Sequence, residues 1–177
     1  MSVERIVIGM ADCGIAADAR SRLVTYALGS CIGLALYDPV AAVGGLLHFM
    51  LPDSTQFPGK ATENPYKFAD TGIPLMLDRL CAQGASKKRL VVYMAGGAQI
   101  LDSEGVFEIG KRNCLAARRV LWKHGLLLAG EAVGGMDFRT VTLEVATGRF
   151  MLDEAGRPRE LTPAVRKKGE STWRTVS

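Results

Sequence analysis

The sequence predicts a mixed α/β domain built with antiparallel hairpins, and three observations lead to that class. Strand-like segments outnumber helical ones by about three to one, and only some of them alternate with helices. Residues 25–48, TYALGSCIGLALYDPVAAVGGLLH, hold two runs of period-two alternation joined by turn residues. Two amphipathic stripes of helical period each run into a glycine. This pattern is not that of a doubly wound nucleotide-binding sheet.

In chain order, residues 5–10 and 22–26 read as strands, the second leading into Leu28-Gly29-Ser30-Cys31. Residues 31–37 and 46–51 form the two arms of a hairpin around Asp38-Pro39-Val40-Ala41, where Asp opens the turn and Pro presets φ. Pro52 stops the second arm. Residues 54–64 read as a polar surface loop. A helix follows, with Asp70 or Thr71 as N-cap, Pro74 in its first turn, and Ile73, Leu77 and Leu80 as its buried stripe. Gly84 ends it. Residues 90–94 form a buried strand running into the Ala95-Gly96-Gly97-Ala98 turn. The second helix spans 111–124, with Cys114, Ala117 and Leu121 inward and Gly125 closing it. Strands at 126–130, 140–145 and 149–152 complete the domain, placed at 1–153. The rest, 154–177, is read as a basic, mobile tail without apolar periodicity.

Length and composition narrow the function. A chain of 177 residues suffices for one domain with a good core. Of the net charge of +4, +3 lies in residues 154–177, so the body is nearly neutral and no nucleic-acid groove is expected. No apolar run reaches membrane-spanning length and the N-terminus lacks the apolar core of a signal peptide, which points to the cytoplasm. The four cysteines, at 13, 31, 81 and 114, are scattered without zinc-like spacing. Free thiols in a reducing compartment and no metal site are expected.

The hairpin brings two reactive residue types together. If Asp38 pairs with Ala41, Cys31 lies directly opposite His48; a loop two residues longer makes them diagonal neighbours. Either way they share a face, because the face depends only on parity, and Cβ separations of about 5–8 Å let a thiol and an imidazole meet. Gly33 and Ala35 leave room on that side.

Two readings stand for Cys31: a small buried hydrophobe, or a nucleophile whose proton His48 removes. The Gly29-Ser30 turn ahead of it would bring the backbone N–H groups of Ser30 and Cys31 near the sulfur as oxyanion donors. His48 alone could equally be a satisfied core histidine. Thr25, six residues before Cys31, could orient the imidazole, and is also simply a good strand former. His124 suits a helix C-terminus. Gly96-Gly97-Ala98 matches no phosphate-binding pattern and reads as a structural turn. Arg166-Lys167-Lys168 reads as solvated.

TYALGSC, LYDP and GGLLHFMLPDS together resemble the hallmark region of the chemoreceptor glutamine deamidases of bacterial chemotaxis, the CheD family. Lys67-Phe68-Ala69-Asp70, Ala95-Gly96-Gly97-Ala98, Ile109-Gly110-Lys111-Arg112-Asn113, and Glu131 with Gly134-Gly135 continue the likeness in order. It covers about residues 5–152.

The resemblance implies a cysteine hydrolase fold, α/β, of two packed mixed sheets flanked by helices. It implies a catalytic trio of Cys31, His48 and Thr25, no cofactor, and the cytoplasmic region of chemoreceptors as substrate. It also implies, in some members, a CheC-type phosphatase partner, so an adaptor without catalysis is the competing reading. A cysteine amidase with another substrate shares the chemistry. One position departs from the family pattern: Phe138 stands before Arg139 where a small residue is usual, which bears on the surface beside the site.

Overall fold

The computed structural model describes residues 2–100 and 108–163. Within them, two five-stranded mixed sheets pack face to face, and helices cover the outer face of one. The first sheet orders β1 (Glu4–Val7), β3 (Ser21–Leu28), β8 (Arg139–Glu144), β9 (Phe150–Glu154) and β10 (Arg157–Glu160) as β1-β3-β8-β9-β10. The second orders β2 (Asp12–Ala16), β4 (Ile32–Asp38), β5 (Val43–Phe49), β6 (Val91–Gly96) and β7 (Gly130–Val133) as β2-β5-β4-β6-β7. The α/β class with two packed mixed sheets is the architecture found.

Strands β4 and β5 are buried on both faces. Ile32, Leu34, Leu36, Leu47 and Phe49 face α2 (Ala69–Ala82) and α3 (Ile109–Lys123), meeting Ile73, Met76, Leu77 and Leu80 of α2 and Ala117 and Leu121 of α3. Each such large side chain contributes about 1.5–3 kcal/mol by leaving water. Ala35, Tyr37 and Leu46 face the first sheet, against Leu23, Leu28, Val141 and Leu143. The small residues of this face therefore admit the second layer of strands; they do not leave open room beside Cys31. A side chain at Gly33 would lie 2.8 Å from Leu28 Cδ1 and 3.2 Å from Val141 Cγ2.

The hairpin takes the longer of the two registers. Asp38 pairs with Val43 and Gly33 with His48, and the ladder begins at Ile32, so Cys31 stands one residue before the strand and not directly opposite His48. Asp38 decides this. Its Oδ1 accepts from the N–H groups of Val40 (2.9 Å) and Ala41 (3.1 Å), so the turn cannot close at Ala41. Its carboxylate also holds the Ser86 N–H (2.8 Å) and both Nε and Nη2 of Arg89. The fully buried carboxyl is held far below the usual carboxylate range, chiefly by Arg89. Asp38→Ala is expected to cost about 3 kcal/mol, measured by urea unfolding, because three N–H groups and the guanidinium lose their acceptor.

Several local expectations are corrected. Helix α2 begins at Ala69 with no side-chain cap; Asp70 instead accepts from Ser54 N–H and Oγ, and Thr71 donates to the Pro65 carbonyl. A short helix, α1 (Pro58–Glu63), stands in the expected loop, begun by a proline at its first position. Strand β2 was not foreseen, since DCGIA lacks alternation. The strand expected at 126–130 begins only at Gly130. The chain also continues in register past 153: β10 pairs with β9 through a turn at Ala155 and Gly156, both at positive φ. Its RPRE sequence is wholly exposed, a charged, Pro-bearing edge strand that shows no apolar period. Residues 164–177 of the expected tail lie outside the described residues.

Candidate active site

Thr25, Cys31 and His48 come from both sheets and from the chain that crosses between them. Thr25 lies in β3 of the first sheet, His48 in β5 of the second, and Cys31 at the end of the crossing from β3 to β4. The crossing follows a register break between Thr25 and Leu28, where Ala27 takes φ 53°. The bulge twists the end of β3, where Leu28 still pairs with Arg139, and the chain leaves the first sheet after Leu28.

Thr25 is fully buried, and its Oγ1 lies 2.8 Å from His48 Nδ1 and 2.7 Å from the Ile8 carbonyl. A carbonyl can only accept, so the hydroxyl proton goes to Ile8, and His48 donates from Nδ1 to the hydroxyl oxygen. This assigns the tautomer: Nε2 carries the lone pair. It is buried and has no hydrogen-bond partner among the described residues. The Ile8 carbonyl is in place because Ile8 N–H donates to Val24 O (2.7 Å), continuing the parallel pairing of β1 with β3.

Burial holds His48 at about 4, so the ring is neutral at ordinary pH. Burial also raises the Cys31 thiol, partly offset by its own backbone N–H. Both shifts disfavour a preformed thiolate–imidazolium pair. Cys13 is pushed up to about 12 and Cys114 is likewise raised, both by burial, in keeping with inert packing thiols. All four cysteines are free.

Cys31 borders a cavity of about 570 Å³ whose walls include Gly29, Ser30, Ala98, Ile100 and Phe138. Phe138 is half exposed and its ring lies within 3.2 Å of where a Gly29 side chain would sit. The residue that departs from the family pattern therefore forms one wall of this cavity. Its neighbour Arg139 is buried, donates to the carbonyls of Gly134 (2.7 Å) and Gly96 (3.3 Å), and pairs with Glu154 (2.5 Å).

The Gly96-Gly97-Ala98 turn is structural, as expected, but what it holds is the crossing segment. Gly97 N–H donates to the Cys31 carbonyl (2.9 Å) and Ala98 N–H to the Gly29 carbonyl (2.8 Å). Gly96 sits at φ 110°, and a Cβ there would fall 2.2 Å from the Cys31 carbonyl oxygen. On the other side, Asn113 Nδ2 donates to the carbonyls of Ser30 and Met50, both at 2.9 Å. Sequence reasoning gave Asn113 no role of its own. Its signal was present: residue 113 shares the buried stripe of Ala117 and Leu121, where a polar side chain needs a reason.

A thiol at a cavity wall, an oriented neutral imidazole and a pinned backbone turn between two packed sheets are the parts a cysteine-dependent hydrolase uses. The comparisons then fix the family. The model described as CheD chemotactic sensory transduction matches residues 50–154. A probable chemoreceptor glutamine deamidase CheD of Solibacter usitatus is 55% identical over 94% of this chain and 99% of its own length. Its counterparts in Syntrophus aciditrophicus and Desulforamulus reducens are each 46% identical, over 88% and 86% of this chain and 98% and 92% of their own. The chain belongs to the CheD family.

Thr25→Val tests the orienting bond. It keeps the shape of the side chain but leaves His48 Nδ1–H and the Ile8 carbonyl unpaired. Stability is expected to fall by about 1–3 kcal/mol in urea unfolding, and turnover by roughly 10–100-fold. Thr25→Ser, which keeps the hydroxyl, is expected to retain most of both.

Proposed function

We propose that this chain is a protein-glutamine deamidase acting on the cytoplasmic region of chemoreceptors, with Cys31 as nucleophile, His48 as general base and acid, and Thr25 as its orienter. The observation that carries the reading is the Thr25–His48 hydrogen bond between the two sheets, which leaves an unpartnered Nε2 lone pair on the face that Cys31 shares. The names of the relatives supply the substrate class.

Glutamine enters the cavity with its carboxamide against Cys31. The sulfur bonds to the carboxamide carbon while its proton passes to His48 Nε2. The carbonyl oxygen takes up negative charge, stabilised by the backbone N–H groups of Cys31 and Ser30. The C–N bond breaks, His48 returns the proton to nitrogen, and ammonia leaves a thioester. Water then gives a proton to His48 and attacks the thioester carbon; the C–S bond breaks and the thiol regains its proton. Glutamine has become glutamate, with no metal or organic cofactor consumed. Among the described residues no helix is long and apolar enough to cross a membrane, and the site is proposed to work in the cytoplasm, where this receptor region lies.

The test is ammonia release together with the amide-to-acid mass change on a glutamine-bearing receptor fragment. Both are expected with the wild-type chain. Binding of the fragment without either would instead favour an adaptor, the role in which a CheC-type phosphatase would be the natural partner.

A further inference from the structure

Three consecutive carbonyls of the crossing segment are held from outside it. Gly29 O accepts from Ala98 N–H at 2.8 Å, Ser30 O from Asn113 Nδ2 at 2.9 Å, and Cys31 O from Gly97 N–H at 2.9 Å. In a trans peptide the C=O and the following N–H point in opposite directions, and these peptides are trans. Fixing the Ser30 carbonyl on the Asn113 amide therefore turns the Cys31 N–H to the side of that peptide opposite Asn113. It lies close to its own sulfur, where it counteracts the rise in the thiol's pKa, and Cys31 borders the cavity. Of the three holds, two are backbone. The one that rests on a side chain is Asn113, which is fully buried. Its amide orientation is unambiguous, because both neighbours are carbonyls and only Nδ2 can donate to them. Its second bond, to Met50 O just beyond β5, ties the crossing to the strand that bears His48.

We propose that Asn113 is a positioning residue of the reaction: by holding the Ser30 carbonyl, it points the Cys31 N–H at the carbonyl oxygen that becomes negatively charged. This rests on the deamidase reading above. The role is separable from that of the nucleophile. Loss of an oxyanion donor slows acyl chemistry, whereas alkylation of the thiol by iodoacetamide generates no oxyanion and does not need the donor.

The test compares wild type with Asn113→Ala and Asn113→Asp, the latter nearly isosteric but placing an acceptor against two carbonyls. On the receptor fragment, kcat is expected to fall roughly 10–100-fold with KM within about twofold. The iodoacetamide rate at Cys31 should stay within about twofold of wild type. Unchanged kcat in a folded variant overturns the proposal. So does a parallel loss of turnover and alkylation, which would make Asn113 a support of the nucleophile itself. Should neither variant fold, NMR of the wild type decides. On forming a thiohemiacetal with a glutamyl aldehyde peptide, the Cys31 amide proton must move downfield while the Asn113 side-chain protons remain protected from exchange. A Cys31 amide that does not move, or Asn113 protons that exchange freely, overturns the proposal. Failure of the wild type to release ammonia would count against the deamidase reading instead, which keeps the two failures apart.

Discussion

Cys31→Ala is expected to lower ammonia release from a receptor glutamine by roughly 10⁵-fold or more, the scale on which a lone nucleophile is lost elsewhere. The fold should survive, because Cys31 is only half buried and its removal opens no sealed void. Cys31→Ser is expected to be nearly as inactive. A hydroxyl is a far weaker acid than a thiol, and an imidazole held at about 4 is too weak a base to activate it. Stopped assays of ammonia for the three proteins, with thermal melts alongside, check both statements.

The second large effect belongs to His48. His48→Gln is expected to reduce turnover by roughly 10⁴-fold, since glutamine cannot take up the thiol proton. The same substitution should alter the response to acid. An unfolded imidazole takes up a proton near 6.5, the folded one only near 4, because burial disfavours its charge. The unfolded state therefore binds more protons across that window. The contribution of His48 to stability is complete above 6.5 and is lost as the pH falls toward 4. Between about pH 7 and pH 5 the wild type should lose about 2 kcal/mol that His48→Gln does not lose. Urea midpoints of the two proteins at the two pH values measure this directly.

What could be read from the sequence followed from local rules. The shared face of Cys31 and His48 was legible because a strand's period of two leaves only parity to decide. The stripes of α2 and α3 and their glycine ends were legible for the same kind of reason. The choice between the two registers was not, since the Asp38 carboxylate that takes the Val40 and Ala41 N–H groups and opens the turn is itself held by Ser86 and Arg89, about fifty residues away. Strand β2 escaped notice because Gly14 interrupts its pattern to admit the Ile8 side chain, which a Cβ there would meet at 2.3 Å. Strand β10 escaped because an exposed edge carries no apolar period.

The site divides along the same line. Its residue types and spacing were visible, and the resemblance singled out Thr25. That Thr25 and His48 meet across two different sheets is a long-range fact, and no spacing along the chain encodes it. The hold of Gly97, Ala98 and Asn113 on the turn before β4 is long-range too, although a buried asparagine on an apolar stripe offered a clue.

The most direct measurement of the central claim, that Cys31 forms a thioester with the receptor glutamine, is interception by hydroxylamine. Wild-type protein turning over a receptor fragment in its presence is expected to yield the glutamyl hydroxamate at the modified position, rising with hydroxylamine concentration at the expense of glutamate. Cys31→Ala should yield neither product. Glutamate alone from an active enzyme, however much hydroxylamine is supplied, or hydroxamate from Cys31→Ala, would contradict the account.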